Sequence, residues 1–142
     1  MSTLKVTNVK HETSGINTLV FDNGGSSGGN GRVTTKGTIG EISAVSYAST
    51  LTLDFRTANN FSTTLTGNVT IANPSNISAG QSGVIFITQD GTGSRTAAFG
   101  SYWDFSDGTA PTLSTGASAV DMIAWIARSS TKISAQFTGN FS

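Results

Sequence analysis

Apolar and polar residues alternate along several short segments in the C-terminal two thirds of the chain. The pattern covers residues 51–56 and 61–65, returns at Val69 and Ile71 after a Gly-Asn pair, and recurs at 133–137. A period of two residues is typical of strands that bury one face. The Asn73-Pro74 pair ends the run at Ile71, because proline cannot donate a hydrogen bond to a strand ladder.

The segment 84–89 has a continuous apolar core at residues 84–88 rather than an alternating pattern. It is preceded by Gly83 and followed by an Asp-Gly pair, so it predicts a buried strand that enters a tight turn at 90–93. A return strand from Arg95 would complete a β-hairpin over residues 84–99.

The segment 120–127 is apolar at almost every position, with Asp121 as the exception. Its composition suits either a helix or a strand that is central in a sheet or covered by a partner. The short polar turn 129–131 and the alternation after it favour the strand.

These patterns give seven or eight strands separated by turn residues, and no helix with caps at both ends. We therefore predict an all-β fold: an antiparallel β-sandwich, with the jelly roll as one form it could take, and an extended N-terminal arm.

The chain divides into three zones by composition. Residues 1–22 hold two short apolar pieces, too little for a core of their own. Residues 23–38 form a Gly/Ser-rich linker, and residues 39–142 are the predicted sandwich domain. We interpret residues 1–22 as a docking arm, with its apolar side chains as candidate contacts: Leu4, Val6, Val9, Leu19, Val20 and Phe21.

Charge and cysteine content narrow the function classes. Eight basic and eight acidic residues give no net charge, which disfavours binding to nucleic acid. There is no cysteine, and no apolar run of about 18 residues that could insert into a membrane. The first residues do not resemble a signal peptide, so we expect synthesis in a cytoplasm without export. Only 11% of the residues are charged, which favours a surface partly buried between subunits.

Candidate chemistry is sparse, and no catalytic, cofactor-binding or metal-binding residue is predicted. His11 is the single histidine and lies in the arm. The one close carboxylate pair, Asp104 and Asp107, follows Tyr102 and Trp103. It predicts a surface turn with Trp103 packed inward or, alternatively, a ligand surface of Tyr102, Trp103, Asp104 and Asp107 that contacts a glycan.

Two stretches resemble structural proteins of tailed bacteriophages, especially those of cyanophages and other marine phages. The first is the N-terminal Met-Ser-Thr-Leu-Lys-Val-Thr-Asn-Val-Lys-His with the apolar triplet 19–21. The second runs from Thr64 to Pro74, through the turn at 90–93, to Ala-Pro-Thr-Leu at 110–113. The resemblance implies a virion β-module of a tail fibre, appendage or capsid decoration. Such modules are commonly homotrimers attached to other virion proteins, such as capsid, portal, neck or tail.

The main prediction is therefore a non-enzymatic virion protein, a homotrimeric appendage or capsid decoration docked through its N-terminal arm and made in the host cytoplasm. A complete tail fibre is disfavoured, because the chain contains no long shaft. The alternative is a receptor- or glycan-binding module of a tail fibre, and a small hydrolase is disfavoured by the lack of an assembled acid–base set.

Overall fold

The structure is a computed structural model that describes residues 39–141. Within this range the chain forms nine strands and a single 3-10 turn at Ser106–Gly108. The strands are β1 (Ile42–Ala44), β2 (Thr50–Leu51), β3 (Asn60–Leu65), β4 (Val69–Ile71), β5 (Ser82–Gln89), β6 (Ala97–Phe99), β7 (Trp103–Phe105), β8 (Val120–Ser129) and β9 (Lys132–Thr138).

The strands form two sheets, which confirms the all-β prediction. A six-stranded sheet has the order β1-β3-β5-β8-β9-β7, and a three-stranded sheet has the order β2-β4-β6. Both sheets contribute to one hydrophobic core, in which Leu51 and Ile71 of the small sheet lie in the same cluster as Phe61 and Ile85 of the large one.

The first six strands alternate between the two sheets along the chain. β1, β3 and β5 pair in parallel in the large sheet, and β2, β4 and β6 pair in parallel in the small one. A further parallel bridge joins Asp54 to Ser75. The chain thus winds as a parallel coil, and antiparallel pairing is confined to β5 with β8 and β8 with β9.

The predicted hairpin over residues 84–99 is wrong in its pairing. The strand and the turn form where expected, but β6 joins the small sheet beside β4 instead of returning along β5. The buried Gln89 explains the change of direction, because its side-chain amide both donates to and accepts from the main chain of Arg95, at 2.9 and 2.8 Å. This exchange occupies the end of β5 and sends the chain toward the other sheet.

The segment 120–127 is a strand, as predicted, and it is central in the large sheet between β5 and β9. Its inward side chains Ile123, Trp125 and Ala127 are buried. The predicted alternation at 133–137 is also confirmed, since β9 buries Ile133 and Ala135.

Close approach of the backbone requires glycine at the start of β5. A Cβ atom at Gly83 would overlap the carbonyl oxygen of Asn59, the residue that precedes β3. The absence of a side chain at Gly83 therefore lets the chain before β3 lie directly against β5.

An aromatic cluster lies where the coil meets the C-terminal strands. Phe55 stacks on Trp125 with a ring-centroid distance of 4.1 Å and on Phe61 at 5.8 Å, and it meets Trp103 edge-on at 6.4 Å. Phe55 is 2% exposed. Its ring is thus shared by the loop after β2, by β3 and by the C-terminal strands β7 and β8.

We expect Phe55→Ala to lower the free energy of unfolding by about 3–5 kcal/mol, because it opens a cavity between stacked rings. Chemical denaturation followed by tryptophan fluorescence measures the change. Phe141→Ala is the matched control: Phe141 is 54% exposed, so its loss should cost about 0.5 kcal/mol or less. Equal effects of the two substitutions would contradict the central role of Phe55.

Candidate functional site

The predicted ligand surface is divided by the fold. Trp103 lies in the core at 6% exposure, and its indole Nε1 donates to the carbonyl of Ala72 at 3.1 Å. The ring of Phe99 lies edge-on to the Trp103 ring, with a centroid distance of 6.2 Å and an interplanar angle of 64°. Trp103 therefore offers no open ring face on which a sugar could stack.

The other three residues of that surface lie closer to solvent. Tyr102 is partly buried, and its backbone N–H donates to Oδ1 of Asn73 at 2.9 Å. Asp107 is exposed in the 3-10 turn with a φ of 58°, a left-handed conformation that aspartate tolerates better than most residues. Asp104 lies on β7 and points to the outer side of the large sheet, beside Ser134 of β9.

Asp104 is the centre of a small ion cluster that sequence reasoning missed. Its carboxylate pairs with the guanidinium of Arg128 on β8 and with Nζ of Lys132 on β9, the latter at 3.2 Å. All three side chains are more than one third exposed, so each pair contributes about 0–1 kcal/mol to stability. The three residues come together only because β9 lies between β7 and β8, which no local sequence pattern reveals.

A shallow groove of about 600 Å³ runs along this side of the sheet. Its outward lining combines the apolar Ala124 and Ile126 with Asp104, Arg128 and Gln136. Such a lining can accept a polar ligand through hydrogen bonds. Among residues 39–141 no group of three or more His, Cys, Asp or Glu residues could hold a metal ion.

The outer side of the two middle strands, β5 and β8, carries an apolar surface. We call it the outer strip. All of its side chains are partly or largely exposed, and its members are Val84, Phe86, Met122, Ala124 and Ile126. Two cross-strand pairs form its centre, Val84 with Ala124 and Phe86 with Met122. Sequence reasoning recognised that 120–127 is apolar on both faces, but it did not place β5 beside it.

The remaining polar features near the strand ends are structural. Oδ1 of Asp90 accepts from the backbone N–H groups of Thr92 and Gly93, and Oδ2 accepts two bonds from the guanidinium of Arg95. The side-chain hydrogen bond from Arg95, with help from the two backbone donors, lowers the pKa of Asp90 below its ordinary value. Both carboxylate oxygens of Asp90 are thus occupied by hydrogen bonds within this turn.

Asp121 is fully buried and also has a structural role. Its two carboxylate oxygens accept from the backbone N–H groups of Ser114 and Asn140, at 2.8 and 3.0 Å. It therefore holds the loop before β8 and the segment after β9 together. In the sequence, the signal for this structural role was a single acidic residue within an otherwise apolar segment.

The candidate docking residues Leu4, Val6, Val9, Leu19, Val20 and Phe21 lie outside the described residues, as does His11. Nothing in residues 39–141 is a helix long and apolar enough to cross a membrane. The described part of the chain is an all-β domain with an apolar sheet face and a small ion cluster.

Comparison with protein families assigns this domain. Residues 47–128, more than half of the chain, match the family described as "Putative phage tail fibre C-terminal domain". The chain belongs to this family and is a structural protein of the phage virion, associated with other virion proteins. Neither the curated proteins nor the solved structures that were compared gave a match.

Proposed function

We propose that the protein is a non-enzymatic, homotrimeric tail-fibre appendage that attaches to the virion through its N-terminal arm. The match of residues 47–128 to a tail-fibre domain carries this proposal. It favours a position on the fibre over a position on the capsid, so capsid decoration becomes the less favoured site.

Two properties of the chain support self-association. Charged residues make up only 11% of the sequence, below the roughly 25% usual for soluble domains. Ile126 is half exposed, at 50%, and the partly exposed Val84 and Ala124 lie beside it on the same side of the large sheet. Large apolar side chains grouped on a surface mark interaction sites more often than single exposed ones do.

The roles that we propose for the three zones of the chain follow from their composition. We assign residues 39–142 to the β domain, residues 23–38 to a Gly/Ser-rich linker, and residues 1–22 to docking on another virion protein. The apolar positions of the arm are too few to fold alone, but they suffice to bind a preformed groove. The chain is made in the host cytoplasm and acts without a cofactor, nucleic acid or membrane insertion.

Light scattering on the purified full chain tests the assembly. We expect a mass three times the protomer mass of 14.6 kDa, because three low-charge domains bury their apolar surface together. A monomer mass that persists at the highest soluble concentration would refute the homotrimer.

Deletion of residues 1–22 tests the docking arm separately. We expect the shortened chain to keep its strand signal in circular dichroism but to be absent from purified phage particles, because the arm carries the attachment. Particles assembled in cells that express either form are compared by immunoblot. Incorporation of the shortened chain at the level of the full chain would show that attachment lies elsewhere.

Receptor or glycan binding is a second candidate, favoured by the groove beside Asp104. Its mixed lining of apolar and hydrogen-bonding side chains suits a polar ligand such as a sugar. The groove shares Ala124 and Ile126 with the outer strip, so a subunit packed on the strip would occupy it. Ligand binding there thus competes with assembly through this face.

Binding of the wild-type chain and of the variants Asp104→Asn and Asp107→Asn to a glycan array tests whether the groove binds a ligand or serves assembly. If the groove binds glycans, Asp104→Asn should weaken binding about tenfold or more, because a charged hydrogen bond is lost. Asp107→Asn is the matched control, since Asp107 is exposed outside the groove lining. No binding by the wild type, or equal loss in both variants, would count against this candidate.

A further inference from the structure

The outer strip breaks the usual pattern of a sheet that faces water. Such a sheet has apolar side chains on the core side and polar ones outside. Here β5 and β8, the two middle strands of the large sheet, are apolar on both sides. Ile85 and Ile123 are fully buried in the core, while Phe86 and Met122 point outward and pair across the strands.

The outer side of the sheet is also without charge over most of its extent. The outward positions of β1, β3 and β5 are all uncharged, as are those of β8 and β9 up to Arg128 and Lys132. Surfaces exposed to water usually carry interspersed charged side chains that oppose association. Their absence here leaves a face suited to a dry contact.

The size of the face fits a subunit contact. Five strands spaced about 4.8 Å apart, with a mean length of about seven residues of 3.3 Å rise, give roughly 20 by 25 Å, or about 500 Å² in flat projection, for the whole outer side. This is the order of the roughly 800 Å² that each partner contributes to a stable interface.

We infer that the outer strip is the contact between copies of this chain, with the same face of each subunit turned toward the others. This inference rests on the proposed homotrimer and names the surface that forms it. The partner is a second copy of the chain, because the outer side of the sheet is uncharged over most of its extent, is apolar along its two middle strands and has the area of a subunit contact.

The first test places a charge on the strip and an identical charge elsewhere. Ala124→Glu introduces a carboxylate at the centre of the strip, and Ala98→Glu introduces one at an exposed strand position of the small sheet. We expect Ala124→Glu to weaken assembly by about a hundredfold or more, because an unpaired charge would be buried in a dry contact. Ala98→Glu should leave the light-scattering mass unchanged.

A second test uses cysteine variants, so it does not require that the charged variant folds. The chain has no cysteine, so Ile126→Cys and Ala98→Cys each give one labelling site. We expect a bulky maleimide to react with Ile126→Cys about tenfold or more slowly than with Ala98→Cys in the native assembly, because access limits thiol reactivity. In denaturant the two rates should become equal.

The outcomes separate this inference from the proposed homotrimer. A trimer in which Ala124→Glu still assembles and Ile126→Cys labels fast would overturn the strip as the contact while keeping the trimer. A dimer with slow labelling would support the strip and refute the trimer. A monomer overturns the inference in either case, and slow labelling of a monomer would assign the strip to residues 1–38 of the same chain.

Discussion

The stacking of Phe55 on Trp125 is the contact on which the rest of the described structure depends. Phe55 comes from the parallel coil and Trp125 from the central C-terminal strand β8, so their 4.1 Å contact joins the two parts of the fold. Aromatic pairs of this kind bury large areas and add specific geometry to the hydrophobic effect. Phe61 and Trp103 complete the cluster, which fixes β8 in the middle of the large sheet.

The position of β8 has a consequence for the surface. Because β8 carries apolar residues on both faces and lies next to β5, two such strands are adjacent in the sheet. Their inward side chains fill the core, and their outward side chains form the outer strip. The adjacency of β5 and β8 thus fills the core and also creates the outer strip, for which we infer a partner. Trp103, an aromatic member of the expected ligand surface, is buried in the core and is unavailable to a ligand.

Local patterns predicted the strands well and their partners poorly. Alternation at 51–56, 61–65 and 133–137 identified inward residues correctly, because burial on one side of a strand depends only on the period of two. The hairpin over 84–99 failed, because the exchange between Gln89 and the main chain of Arg95 is not visible in hydrophobicity. The ion cluster of Asp104, Arg128 and Lys132 was missed for the same reason, since it depends on the order of three strands.

The sequence by itself determined that the chain is all-β and which residues of its strands point inward. It also showed that β8 is a strand with two apolar faces and that the domain resembles phage structural proteins. Only the tertiary structure decided that most strand pairs are parallel, that Trp103 is a core residue, and that β5 and β8 bring their outward apolar side chains together. The physical reason is the distance along the chain over which each property is set. Side-chain periodicity is a local property that every strand carries in its own residues, whereas strand order and direction follow from contacts such as that of Phe55 with Trp125, between residues far apart in the chain.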